Sequence, residues 1–233
     1  MVGTSPGGRA ATATPPPGRF VTFEGGEGAG KSTQIRRLAR RLAAAGIAAM
    51  VTREPGGSPR AELIREALLA GRAKRFGAFA EALLFGAARA DHVGQLIAPA
   101  LARGDVVLCD RFLDSTRVYQ GDLAGVSETA LAAIDRAALG DTRPDLTLVL
   151  DLPAETGLAR AAARREGAGT DRFEAEDPAF HAAIRHGFLR IAACEPDRCR
   201  VVDATGTPEE VEARIWAEVA PKLAQWGRLA HAG

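Results

Sequence analysis

The chain carries no excess of either charge, no apolar run of membrane length and few cysteines, and each shortage removes a class of function. Over 233 residues, 30 Lys+Arg stand against 29 Asp+Glu, a formal net charge of +1. Without a basic excess neither nucleic acid nor a membrane surface is attracted, so a polyanion bound here is a small one. No stretch approaches the roughly 18 apolar residues of a membrane span. Cys109, Cys194 and Cys199 are odd in number and have no C-x-x-C or histidine pairing. That argues against a structural metal site and for reduced thiols in a cytoplasmic protein. Lysine is scarce too, with three residues at 31, 74 and 222, so 27 of the 30 cations are arginine. An arginine here is informative by its position, not by its presence. Met1 to Gly18 ends in Thr-Pro-Pro-Pro-Gly, lacks the apolar centre of a signal peptide, and reads as a disordered tail.

Against that background one stretch stands out. Phe20 to Phe23 reads FVTF, β-branched and aromatic residues suited to a buried strand, and glycines follow before a helical pattern begins. Gly25, Gly26, Glu27, Gly28, Ala29, Gly30, Lys31 and Ser32 satisfy G-x-x-x-x-G-K-[ST] in the strand–turn–helix setting the pattern requires. Small residues let backbone N–H groups through Thr33 face phosphate oxygens, and the helix N-terminus adds a positive dipole end. Lys31 can reach the β- and γ-phosphates of a bound nucleotide, and Ser32 can ligate Mg²⁺.

Periodicity predicts helices over 31–45, 59–70, 77–103, 127–139, 154–166, 178–193 and 208–226, and strands over 20–23, 47–52, 106–109, 146–150 and 200–202. Strands separated by helices pair in parallel with right-handed crossovers. The expectation is an α/β fold of three layers, the P-loop NTPase type, with a five-stranded parallel sheet and a short lid at about 160–177. The domain spans 19–226, and 227–233 is a C-terminal tail. Ligands in such sheets bind beyond the carboxyl ends of the strands, so Lys31, Arg53, Asp110 and Arg111 are expected around one cleft.

Asp110 follows the apolar VVLC, the position of the acid that holds Mg²⁺ in P-loop proteins. Arg53 and Arg111 are placed to clamp a second phosphate facing the loop, and two facing phosphate cradles suit a transferase. A phosphate monoester acceptor is largely dianionic near neutral pH, so no general base is required. Catalysis then rests on alignment and on extra cations over the transferring group, for which Arg160, Arg164, Arg165 and Arg172 around the lid are candidates.

The motifs FEGGEGAGKST, TREPGG (Thr52 to Gly57), LLFGAAR (Leu83 to Arg89), DRFLDSTRVYQG (Asp110 to Gly121), RPDLTLVLD (Arg143 to Asp151) and VDAT (Val202 to Thr205) occur in this order. In them the chain resembles the bacterial thymidylate kinases of the nucleoside monophosphate kinase group. The resemblance implies transfer from ATP to dTMP with Mg²⁺, giving ADP and dTDP for dTTP synthesis. It implies that Phe85 stacks on thymine, that Arg89 bonds the base edge, and that Arg53 and Arg111 hold the acceptor phosphate. It further places Glu27 near the acceptor's 3′-hydroxyl or its phosphate surroundings, Tyr119 and Gln120 close to the deoxyribose and base, and Ser115 among the substrate-binding residues. No arginine lies among Gly26 to Ala29, which resembles the type whose catalytic arginine sits in the lid and favours Arg160 and Arg164. Family members pair as homodimers, and helix 77–103 is a candidate contact. Two alternatives stay open: a kinase for another nucleoside monophosphate, and a nucleotide-dependent switch, for which Asp122 to Gly125 gives a D-x-x-G but no N-K-x-D follows.

Overall fold

The computed structural model describes residues 16–163 and 176–229. Its core is a single parallel sheet of β1 (Arg19–Gly25), β2 (Ala49–Arg53), β3 (Val106–Asp110), β4 (Leu146–Asp151) and β5 (Cys199–Asp203), in the order β2-β3-β1-β4-β5. β1 is central, paired with β3 and β4, and is buried on both faces. Its alternation sends Val21 and Phe23 to one side and Phe20 to the other, as period-two geometry requires.

On the first side Ile35, Leu38 and Leu42 of α1 (Lys31–Ala44) join Val211, Ile215, Val219 and Leu223 of α9 (Pro208–Gln225) over the sheet. The remaining α-helices among the described residues, in chain order, are α2 (Pro59–Leu69), α3 (Ala78–His92), α4 (Ala98–Ala102), α5 (Leu113–Thr116), α6 (Glu128–Leu139), α7 (Ala154–Ala163) and α8 (Pro178–Cys194). The opposite side of the sheet is covered by Ile97 and Ala100 near α4, and by Ile184, Phe188 and Ile191 of α8. The helix expected over 77–103 is interrupted by a π-turn at Val93–Ile97. Pro99, one position inside α4, lacks the N–H a continuous ladder would need, and a widened turn just before it accommodates the ring. α5 likewise opens into a π-helical stretch, Arg117–Leu123, for which the sequence reading assigned no element.

Strand register sets up the cleft. Phe23 lies opposite Asp110 and Asp110 opposite Arg53, so the loops leaving β1, β2 and β3 start from one row. Arg111 N donates to Phe23 O at 2.9 Å and Glu54 N to Asp110 O at 2.9 Å, extending that row by one residue. At the other end Gly18 N donates to Leu101 O at 3.1 Å, and Arg228 Nη2 donates to Pro16 and Pro17 carbonyls at 2.9 and 2.6 Å. Among the described residues no helix is long and apolar enough to cross a membrane.

Candidate active site

The loop between β1 and α1 adopts backbone angles that its glycines permit: φ is +67° at Gly28 and +89° at Gly30. Space restricts it further. A Cβ at Gly28 would stand 1.9 Å from Gly157 O, and one at Gly157 would stand 2.2 Å from Glu27 O. The loop and α7 therefore touch backbone to backbone, and Gly157 is as constrained as the loop itself. Lys31 Nζ donates to Gly25 O at 3.0 Å and Gly26 O at 2.8 Å. Burial, then the nearby Arg111 charge, pull its pKa down to about 8. Thr33 N closes the first helical turn on Gly30 O at 3.0 Å.

Ser32 Oγ donates to Asp110 Oδ2 at 2.6 Å, so the first turn of α1 meets the end of β3. A hydroxyl and a carboxylate at the edge of a phosphate loop form a hard-oxygen donor set of the kind Mg²⁺ takes when phosphate oxygens and waters complete its shell. The residues fit the ion.

Across the cleft Arg111 has φ +67°, uncommon for a side chain with a Cβ. Its Nη1 donates to Ser115 Oγ at 3.1 Å, and its guanidinium lies 5.5 Å from the centre of the Tyr119 ring. The loop is held from below by Glu24, wholly buried at the end of β1. Glu24 Oε1 accepts from Phe112 N at 2.8 Å and Ser115 N at 3.2 Å, and Oε2 accepts from Ser115 Oγ at 2.7 Å. Burial, with the Asp114 charge behind it, pushes the Glu24 carboxyl up to about 7, against the lowering effect of Arg111 and the hydrogen bonds. Arg53 Nη2 is paired with both Glu62 oxygens at 3.0 Å.

Arg89 is 1% exposed. Its Nε donates to Glu54 Oε2 at 2.8 Å, Nη1 to Asp135 Oδ1 at 3.2 Å and Nη2 to Thr116 Oγ1 at 2.9 Å. Two carboxylates compensate a charge that burial alone would make costly, and they fix the guanidinium plane. His92 completes the cluster, Nδ1 against Glu54 Oε1 at 3.3 Å and Nε2 against Thr52 Oγ1 at 2.7 Å.

One cavity of about 310 Å³ gathers most of the expected residues: Glu27, Gly28, Ala29, Gly30, Lys31 and Ser32 on one side, Arg53, Phe85, Arg89, Arg111, Ser115, Tyr119 and Gln120 on the other, with Asp110 between. Gly25 and Gly26 enter through the carbonyls that receive Lys31. Arg160 is not among the lining residues. Its Nη1 and Nη2 donate to Ala204 O at 3.1 Å and Gly206 O at 3.2 Å. Arg164, Arg165, Arg172 and most of the expected lid lie outside the described residues. Sequence reasoning passed over Glu24, Thr116, Gly157 and His181. Only Gly157 carried a local signal, a glycine inside a helical pattern.

A parallel sheet whose central strand feeds a glycine-rich phosphate loop, opposite a second set of cations, defines an α/β protein of the P-loop NTPase fold. The comparisons narrow this. The thymidylate kinase family profile matches residues 23–215. The thymidylate kinases of Rhodopseudomonas palustris (strain TIE-1) and Nitrobacter winogradskyi are each 60% identical, over 91% and 86% of this chain and 92% and 87% of theirs. The crystal structure of thymidylate kinase from Ehrlichia chaffeensis superposes with a TM-score of 0.69 at 30% identity, covering 88% of this chain and 99% of that one. The chain belongs to the thymidylate kinase family.

Proposed function

We propose that the chain transfers the terminal phosphoryl group of ATP to dTMP, giving ADP and dTDP for dTTP synthesis. The observation that carries this reading, beside family membership, is the single cavity bordered by the phosphate loop on one wall and by Arg53, Arg111, Phe85 and Arg89 on the other. A donor phosphate chain and a nucleotide acceptor meet there, whereas a hydrolase or switch needs only the first wall.

Lys31 leaves the Gly25 and Gly26 carbonyls to follow the donor's terminal phosphate. Arg111, prefixed by its backbone and by Ser115, holds the acceptor phosphate, and Arg53 does so after releasing Glu62. Because that phosphate is a dianion, alignment and charge neutralisation are what the residues supply, and no side chain must remove a proton. Ser32 and Asp110 would hold Mg²⁺, which neutralises charge between the donor's phosphates. Phe85 stacks on the thymine ring and Arg89, held rigid by Glu54, Asp135 and Thr116, bonds its edge. Tyr119 and Gln120 close on the deoxyribose where a 2′-hydroxyl would crowd, and Glu27 faces the sugar. Arg164 and Arg160 cover the transferring group, for which Arg160 must leave the carbonyls of Ala204 and Gly206.

Leu63 of α2, Phe76 and the α3 residues Phe79 and Leu83 leave apolar side chains exposed along neighbouring helices. This supports a homodimer formed through that face. The free thiols Cys109, Cys194 and Cys199 support a cytoplasmic location. The assignment is tested by offering dTMP, dUMP, dCMP, dGMP and dAMP separately with ATP and Mg²⁺ and identifying the products by chromatography. dTMP should give dTDP fastest, and a faster product from another monophosphate would replace the acceptor.

A further inference from the structure

His181 ends the first turn of α8, is 5% exposed, and borders the same cavity as Lys31 and Arg111. Neither ring nitrogen has a hydrogen-bond partner among the described residues. The contrast with His92 is direct, for that imidazole is also buried and both its nitrogens are engaged, by Glu54 and Thr52. A buried donor and acceptor left unpaired destabilise a fold that a leucine or phenylalanine would fill without penalty. An imidazole at such a place beside a binding cavity is explained when a ligand supplies the missing partner.

The neighbours say which ligand. The His181 ring stands 5.7 Å from Phe180, Phe180 stands 6.2 Å from Tyr119, and Tyr119 carries the Arg111 guanidinium over its face at 5.5 Å. This row of rings ties His181 to the wall that faces the acceptor's phosphate and sugar, not to the phosphate loop. We propose that His181 is a substrate-binding residue that hydrogen-bonds an oxygen on the sugar–phosphate side of the acceptor nucleotide. The inference rests on the dTMP kinase reading above and adds a contact to it.

The test uses the full chain with His181→Leu and His181→Gln, measuring KM for dTMP and for ATP, kcat, and Tm without nucleotide. His181→Leu should raise KM for dTMP about tenfold, the worth of a typical hydrogen bond, and leave KM for ATP within about twofold. The ligand-free Tm should be unchanged or higher, because two unpaired nitrogens are gone. His181→Gln, which keeps a donor and an acceptor, should fall between wild type and His181→Leu. Equal KM values for dTMP in wild type and His181→Leu, or parallel rises for dTMP and ATP, overturn the proposal. Absence of dTMP turnover in the wild type would sink the underlying assignment instead, so the two failures are told apart.

Discussion

Ser32 Oγ and Asp110 Oδ2 lie 2.6 Å apart although 78 positions separate them in the chain. The P-loop helix and the end of β3 thus present their oxygens together at one point of the cleft. Replacing Asp110 by Asn should lower kcat by roughly a hundredfold or more while Tm stays close to wild type, since the contact is exposed. EDTA should abolish turnover of the wild type, and added Mg²⁺ should restore it. A Mg²⁺ titration curve identical in wild type and Asp110→Asn would remove Asp110 from the ion's site.

Lys31 sits with its ammonium on two carbonyls of its own loop, a position from which a phosphate chain can draw it. Lys31→Ala should cut kcat by about a thousandfold or more. Steady-state turnover at saturating ATP and dTMP measures this, and turnover within tenfold of wild type would take the loop out of the mechanism.

Phe85 and Arg89 lie one helical turn apart on α3, and both reach the cavity. Phe85→Ala should weaken dTMP binding by about 2 kcal/mol, the scale of a lost aromatic stacking contact with its burial, with ATP affinity almost unchanged. Calorimetric titration of each nucleotide separates the two. Equal losses would mean that Phe85 acts by packing α3.

Much of this arrangement was legible in the sequence because it is built from local patterns. The five parallel strands follow from apolar runs separated by amphipathic helices, and the phosphate loop from glycine spacing. Arg53, Asp110 and Arg111 converge because parallel register puts all the strand ends on one edge, a rule that needs no coordinates. What escaped were relationships that no spacing encodes. Glu24 reads as a polar break after a strand, yet it receives three hydrogen bonds from a loop about 90 residues away. Gly157 matters only because the phosphate loop lies against it. The π-helical stretch after Thr116 has the composition of an ordinary helix or loop, and its widening is decided by tertiary packing.

Glu24 also gives a pH signature. Its folded pKa is about 7, raised from 4.5. Between these values the native state holds a proton that the unfolded chain has released, so this group's contribution to stability falls as pH rises through the window. The full difference corresponds to an order of 3 kcal/mol. Glu24→Gln is neutral throughout, so its Tm should gain on wild type by several degrees between pH 5 and pH 8.5. A constant Tm difference across that range would mean that the carboxyl titrates at its ordinary value.

On the proposed function, Arg164 and Arg160 act on the transition state. Arg164→Ala should lower kcat by about a hundredfold with KM for both nucleotides nearly unchanged, and Arg160→Ala should do the same to a smaller extent. Initial-rate kinetics over both substrates decide it. A rise in KM alone would assign either arginine to binding of the ground state.

Joint occupation of the cavity by donor and acceptor is measured most directly by ADP release from ATP and Mg²⁺, with and without dTMP. Release should be rapid with dTMP, negligible without it, and matched mole for mole by dTDP. Equal ADP release in the absence of dTMP would contradict a phosphotransferase and mark a nucleotide hydrolase.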